Sequence, residues 1–334
     1  MFSQCKNVLD NLKEKFAIVS LVKEKLKGCH SRPGLLYAIL SCFFFATSSV
    51  LVHIVDEIHA VQTVFFRSFI QLLCTVPMLI FHGVNPLPNR ENARVAAMLF
   101  LRGVAGSTAL CFQFYALQHM PLSDATVIIF SSPIFTAILA YCFLAERWSK
   151  VDAVSALLCF LGVVMIAQPG SIFASSFQSK QHFVYCIVAL TGAVLTSISI
   201  IALKKLHSVH YVISSFYLAL VGVIGTGLVC LIPGVFRPVI CGHQLYIVLI
   251  GLCAVGGQCL LCKSLSTEKA STVALVRTFD IVLAFVFQLM FFDHQPNIFS
   301  ISGAILVSMC NIVILSTARC PSETHDDHKL PKTN

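Results

Sequence analysis

Ten stretches of the chain are almost continuously apolar and each is near the length that crosses a bilayer. They run over about 34–55, 60–81, 95–117, 122–144, 151–168, 183–203, 211–232, 244–265, 271–292 and 298–318. The links between them are short and carry turn formers or charge, such as Asp56-Glu57, Pro86-Leu87-Pro88, Pro169-Gly170 and Pro233-Gly234. Backbone groups inside hydrocarbon must bond one another, so a crossing segment is either a helix or a barrel strand. Runs of about 20 residues without apolar–polar alternation exclude strands. The pattern predicts an all-α polytopic membrane protein with ten transmembrane helices.

The chain also repeats itself. A shift of 148 residues lays the segments over one another in order, with Tyr37 on Tyr185, His59 on His207, Gly103 on Gly251, Leu117 on Leu265 and Ser123 on Ser271. Each unit holds five spans. An odd number turns the second unit over in the membrane, which predicts two inverted five-helix repeats. The expected divisions are an N-tail over 1–33, a first repeat over 34–168, a linker over 169–182, a second repeat over 183–318 and a C-tail over 319–334. The first 30 residues contain no apolar core of a cleavable signal. Val8, Leu12, Phe16, Val19, Val22 and Leu26 follow helical spacing among lysines, which suits a basic amphipathic helix lying on anionic lipid.

Composition narrows the function. The chain is 57% hydrophobic and 11% charged, with a mean hydropathy of +0.85, whereas soluble domains carry about 25% charge. That excludes a soluble enzyme. The net charge of +8 does not point to nucleic acid. With the N-terminus in the cytosol, 17 of the 23 Lys and Arg fall on the cytosolic side, 2 on the opposite side and 4 within spans. This asymmetry predicts that both termini are cytosolic. Most of the 15 cysteines lie inside apolar runs and behave as small apolar side chains. No metal set, cofactor motif, nucleophile–base pair or nucleotide-binding loop is present in the sequence. Transport, where it occurs, is therefore secondary.

The four cations inside spans are Arg67, Arg102, Arg277 and Lys263. Each costs about 2.5–3.5 kcal/mol in a lipid-facing centre, so they must face protein, water or ligand. Their neighbours agree. Thr63, Arg67, Gln71 and Thr75 form one polar stripe; Arg102, Gly106, Ala109 and Gln113 form a second; Arg277, Asp280, Ala284 and Gln288 form a third. Asp280 lies one turn from Arg277 and is placed to offset it. Lys263 stands two residues from the end of its span, where it either snorkels to the interface or lines a mouth. Tyr115, Gln113 and Gln258 are each either cavity ligands or interhelical bonds. Arg67, Arg102, Arg277, Asp280, Lys263, Gln113 and Tyr115 form the candidate substrate-binding set for a small anionic solute. Ser131-Ser132-Pro133 is placed to kink the fourth span.

The run Leu101-Arg102-Gly103-Val104-Ala105-Gly106-Ser107-Thr108-Ala109 is followed by Tyr115-Ala116-Leu117 and by Met120-Pro121-Leu122-Ser123-Asp124-Ala125-Thr126. Then come Phe130-Ser131-Ser132-Pro133 and, in the second half, Glu268-Lys269-Ala270, Asp280 and Phe285-Val286-Phe287-Gln288. These residues resemble the drug/metabolite transporter superfamily, and within it the G subfamily of solute carrier family 35. The resemblance implies two EamA-type repeats, cytosolic termini and alternating access. It implies a solute carrier; the sequence shows no Asn-x-Ser/Thr sequon and no clear retention signal, which leaves plasma membrane, endoplasmic reticulum and Golgi open. Three readings stand at this point. One is a transporter of an organic anion such as a di- or tricarboxylate. The second is a non-transporting membrane protein that regulates a partner protein. The third is a nucleotide-sugar antiporter.

Overall fold

The computed structural model describes residues 33–55, 58–85, 93–119, 122–146, 150–167, 180–232, 244–291 and 298–317. The expected amphipathic N-tail, the C-tail, and all but the last three residues of the linker over 169–182 lie outside these described residues. Twelve helices make up the fold among the described residues. They are α1 Pro33–Ile54, α2 Ala60–Phe81, α3 Ala93–His119, α4 Leu122–Ile129, α5 Ser132–Leu144 and α6 Lys150–Ala167. The second half holds α7 Lys180–Lys205, α8 Tyr211–Cys230, α9 Gln244–Thr267, α10 Ala270–Val276, α11 Phe279–Phe291 and α12 Ile298–Thr317. Among them, eight stretches are long and apolar enough to cross a membrane; Ala153–Ile166 and Ile298–Ile314 are apolar but shorter.

The described surface exposes many large apolar side chains, and many polar side chains are buried among the apolar ones of the interior. Ile80, Phe81 and Leu231 are more than three-quarters exposed, while Ser41, Gln62, Gln71, Thr75, Ser197 and Ser215 are buried. A hydrocarbon solvent produces this arrangement, because lipid tails accept apolar side chains and leave polar groups to pair with one another. The fold is that of an integral multi-pass membrane protein.

Helix pairs follow a simple scheme. Helix α1 packs along α9, and α3 packs along α7. Helix α2 meets α8, and α6 meets α12. A 148-residue shift carries α1 onto α7 and α3 onto α9, so the first two pairs exchange partners. The α6–α12 contact is made by glycine. A Cβ on Gly303 would lie 2.7 Å from the Gly162 carbonyl oxygen and 2.9 Å from the Ile166 nitrogen, so the two backbones approach as only small residues allow. Gly303→Val is expected to cost about 1–3 kcal/mol, read as a lowered melting temperature of the purified protein.

The structure departs from the expected single helices over 122–144 and 271–292. Each is broken in two, at Phe130-Ser131 and at Arg277-Thr278. In the first, Pro133 stands in the first turn of the second piece and has no N–H for the preceding turn, while Ser131 Oγ donates to the Ile128 carbonyl at 2.6 Å. In the second, the ladder tightens: Thr278, Asp280 and Ile281 donate to the carbonyls three residues back, and Thr278 Oγ1 donates to the Leu275 carbonyl at 2.7 Å. The 148-residue shift places Phe130 on Thr278, so the two breaks overlap.

One end of the bundle is tied by charge. The Glu146 carboxylate accepts from the Ala270 N–H at 2.9 Å, the Ser271 N–H at 3.2 Å and Ser271 Oγ at 2.7 Å, and so caps α10. Lys204 Nζ donates to the Leu265 and Glu268 carbonyls at 3.0 and 2.6 Å, which closes the end of α9.

Candidate functional site

The break between α10 and α11 gathers the polar groups of the interior. Arg277 follows the last turn of α10, where a cation suits the helix dipole, and Asp280 sits in the first turn of α11, where an anion does. The Arg277 guanidinium carbon stands 5.0 Å from the Phe45 ring centroid. Asn311 on α12 donates to Thr278 Oγ1 at 3.3 Å. Three polar atoms here are buried without a hydrogen-bond partner: Arg277 Nε, Asp280 Oδ1 and Asn311 Oδ1. Buried polar groups are almost always bonded, so a cluster of orphans on two adjacent helices marks a place where a ligand or water belongs. Broken helices at matching positions of two halves are where transporters build such places.

Arg67 lies within electrostatic reach of Arg277. Its whole stripe is buried: Thr63, Arg67, Gln71 and Thr75 all face inward on α2. Gln71 Nε2 donates to Ser215 Oγ at 3.0 Å, which holds α2 on α8.

Arg102 is a knot of four helices. Its Nε donates to Ser214 Oγ on α8 at 2.7 Å, Nη1 to Ser199 Oγ on α7 at 3.2 Å, and Nη2 to Gln258 Oε1 on α9 at 3.0 Å. The residue is 2% exposed, and none of these partners carries charge. The Arg102 cation is therefore satisfied in hydrogen bonds but not neutralised by them, and it projects a positive field.

A cavity of about 300 Å³ lies beyond that knot. Ser214 and Cys262 form part of its wall with His207, His210, Tyr211 and Lys263. Lys263 Nζ lies 4.5 Å from the Tyr211 ring centroid and 5.8 Å from that of Tyr37, within cation–π reach of both. The His82 ring packs 5.1 Å from His210. Burial, then the His82 and Lys263 charges, push the His210 imidazole below its ordinary range. Lys263 is the cation that lines the cavity, with Arg102 behind its wall.

Residues 32–168 match the model of the EamA-like transporter family. The chain is 38% identical over 281 residues to solute carrier family 35 member G1 of Mus musculus, covering 82% of this chain and 76% of that protein. The chain belongs to the G subfamily of solute carrier family 35, among the EamA-type transporters. The Homo sapiens member G1 is 36% identical over 286 residues, covering 84% of this chain and 78% of that one. The pseudopaline exporter CntI of Pseudomonas aeruginosa is 28% identical, covering 86% of this chain and 98% of its own length. A solved crystal structure superposes with a TM-score of 0.73 at 14% identity, over 86% of this chain and 97% of that one, and so shares the fold.

In this solute carrier the sequence-selected residues fall into three places. Arg277 and Asp280 stand together at the break, with Arg67 in reach. Lys263 lines the cavity, and Arg102 stands behind its wall, bonded to Ser214. Gln113 and Tyr115 lie elsewhere. Gln113 is 11 residues from Arg102, about 16 Å along α3, and donates to Thr196 Oγ1 at 2.8 Å across the α3–α7 contact. Tyr115 stacks on His119 at 4.0 Å and meets Tyr185 at 6.1 Å. Sequence reasoning did not select Thr278 and Asn311. Asn311 carries a readable signal, since it is an amide in an otherwise apolar span.

Proposed function

We propose that the chain is a secondary-active, alternating-access transporter of a small organic anion, with di- and tricarboxylates as the favoured class, and not an enzyme. The observation that carries this reading is the orphaned set at the α10–α11 break: Arg277 Nε, Asp280 Oδ1 and Asn311 Oδ1. Arg67 adds a second cation within reach, and Arg102 is a third interior cation whose hydrogen-bond partners Ser214, Ser199 and Gln258 carry no charge. Guanidinium groups bond carboxylates in bidentate fashion, so an anionic solute would give Arg277 its missing acceptor. Asp280 Oδ1 and Asn311 Oδ1, which only accept, call for a donor such as water carried with the solute. A regulator that moves no solute has no use for an interior with unmade bonds, which favours transport over that alternative.

The same reading takes the ten apolar segments as ten spans in two inverted repeats, with α4–α5 and α10–α11 each one broken span. The partner exchange between α1–α9 and α3–α7 supports it, as does the overlap of the two breaks. Both termini are then cytosolic, and the basic N-tail rests on anionic lipid. Impermeant labelling of single cysteines placed at residues 2 and 333 is expected only after the cytosolic side is opened; labelling of residue 333 from the outside would overturn the topology. Transport itself is tested with purified protein in proteoliposomes and a panel of labelled anions, amino acids and nucleotide sugars. Saturable entry of carboxylates is expected. Entry of nucleotide sugars alone would select the antiporter reading instead.

A further inference from the structure

The two ends of the bundle are built from matching positions but finished differently. The 148-residue shift lays Gln118 on Ser266, Tyr115 on Lys263, Ile58 on Leu206, Ala60 on Ser208 and Tyr185 on Tyr37. At one end Gln118 fills the space between α3 and the α1–α2 turn: its Nε2 donates to the Ile58 carbonyl at 2.8 Å and its Oε1 accepts from the Ala60 N–H at 2.9 Å. Tyr115 beside it stacks on His119. At the other end Ser266 is too short to cross. Its hydroxyl turns back to the Lys263 carbonyl at 2.7 Å, and the space remains as the 300 Å³ cavity. There a cation, Lys263, stands where the opposite end has an aromatic ring. His210 Nδ1 is buried at this cavity without a partner. Arg102 reaches its wall through Ser214 and Cys262. The residues that line it include no carboxylate.

We infer that this cavity is a loading site that binds a small carboxylate-bearing solute at the Lys263 end of the bundle before the solute reaches the helix break. The inference rests on the anion-transport reading and extends it: the molecule collects its anion at one end, the cytosolic one, and not at the end plugged by Gln118. Lys263 supplies the ion pair, the cavity hydroxyls supply hydrogen bonds, and Arg102 supplies field from behind the wall. A volume of about 300 Å³ lies at the small end of ligand pockets and suits a solute of the size of succinate.

The test is equilibrium binding of labelled succinate to the detergent-purified full-length chain, alongside uptake in proteoliposomes. Lys263→Gln is expected to weaken binding about tenfold or more, and Lys263→Arg to keep it. Ser266→Gln removes no charge, yet is expected to remove the Lys263-dependent part of the binding by filling the cavity as Gln118 does at the opposite end. Arg277→Gln is expected to keep the binding that depends on Lys263 while losing uptake. Binding unchanged in both Lys263→Gln and Ser266→Gln would overturn the loading site, and the transport reading would survive if wild-type uptake persisted. Lys263-dependent binding without uptake of any anion would support the site and sink the transport reading. A phospholipid headgroup offers the same chemistry, so binding is repeated in nanodiscs with and without phosphatidylserine. Unchanged succinate binding is expected; displacement by the anionic lipid would assign the cavity to lipid and overturn the proposal.

Discussion

Replacing Arg102 by alanine is expected to remove most folded protein from the membrane. The side chain donates to Ser214, Ser199 and Gln258, and so ties α3 to α8, α7 and α9 at one point. A hydrogen bond to a charged group contributes about 1.5–3 kcal/mol. Three lost at once, with a cavity left behind, total about 5 kcal/mol or more. Folded domains are stable by only about 5–15 kcal/mol. Arg102→Lys keeps the charge but places one ammonium where three partners diverge, so partial recovery is expected. Size-exclusion profiles and melting temperatures of the purified variants read both effects. Wild-type melting in Arg102→Ala would show that the knot contributes little.

Arg277→Gln is expected to act in the opposite way, with uptake lost and the fold retained. Its Nε lacks a hydrogen-bond partner, so the structural cost is the loss of the cation beside Asp280 and a lowered melting temperature, not loss of the fold. What disappears is the cation at the break, and with it a charge-assisted pair to the solute. At about 1.5–3 kcal/mol per bond and two bonds in a bidentate pair, uptake should fall about a hundredfold or more. Arg67→Gln should lower uptake less, because Arg67 acts on the break from a neighbouring helix. The check is initial uptake rate against melting temperature for each variant. Full uptake in Arg277→Gln, with protein present, would remove the break from the substrate path.

Much of this architecture was legible along the chain. Apolar run lengths marked the long helices, and among the described residues eight stretches are long and apolar enough to cross a membrane. The burial of Thr63, Arg67, Gln71 and Thr75 follows from a stripe at spacing four. The first helix break announced itself through Pro133. The second did not, because Arg277-Thr278 contains no glycine or proline; a tightened turn and the Thr278 hydroxyl make it, and both depend on the folded backbone. Arg102 shows the limit most clearly. Its stripe correctly pointed inward, yet the partners are serines and a glutamine 97, 112 and 156 residues away, and no local spacing reveals them. Gln113 shares that stripe and meets Thr196 instead, since the face it occupies packs closely on α7. A polar stripe identifies the buried side of a helix. Whether that side meets a neighbour or a solute is decided by the packing.

The central claim is that the interior selects its solute by negative charge. Uptake of labelled succinate and of its uncharged diamide into the same proteoliposomes tests it most directly, because the two differ little in shape and almost entirely in charge. Saturable succinate uptake with no specific uptake of the diamide is the result predicted. Equal uptake of the two, or specific uptake of the diamide alone, would contradict it.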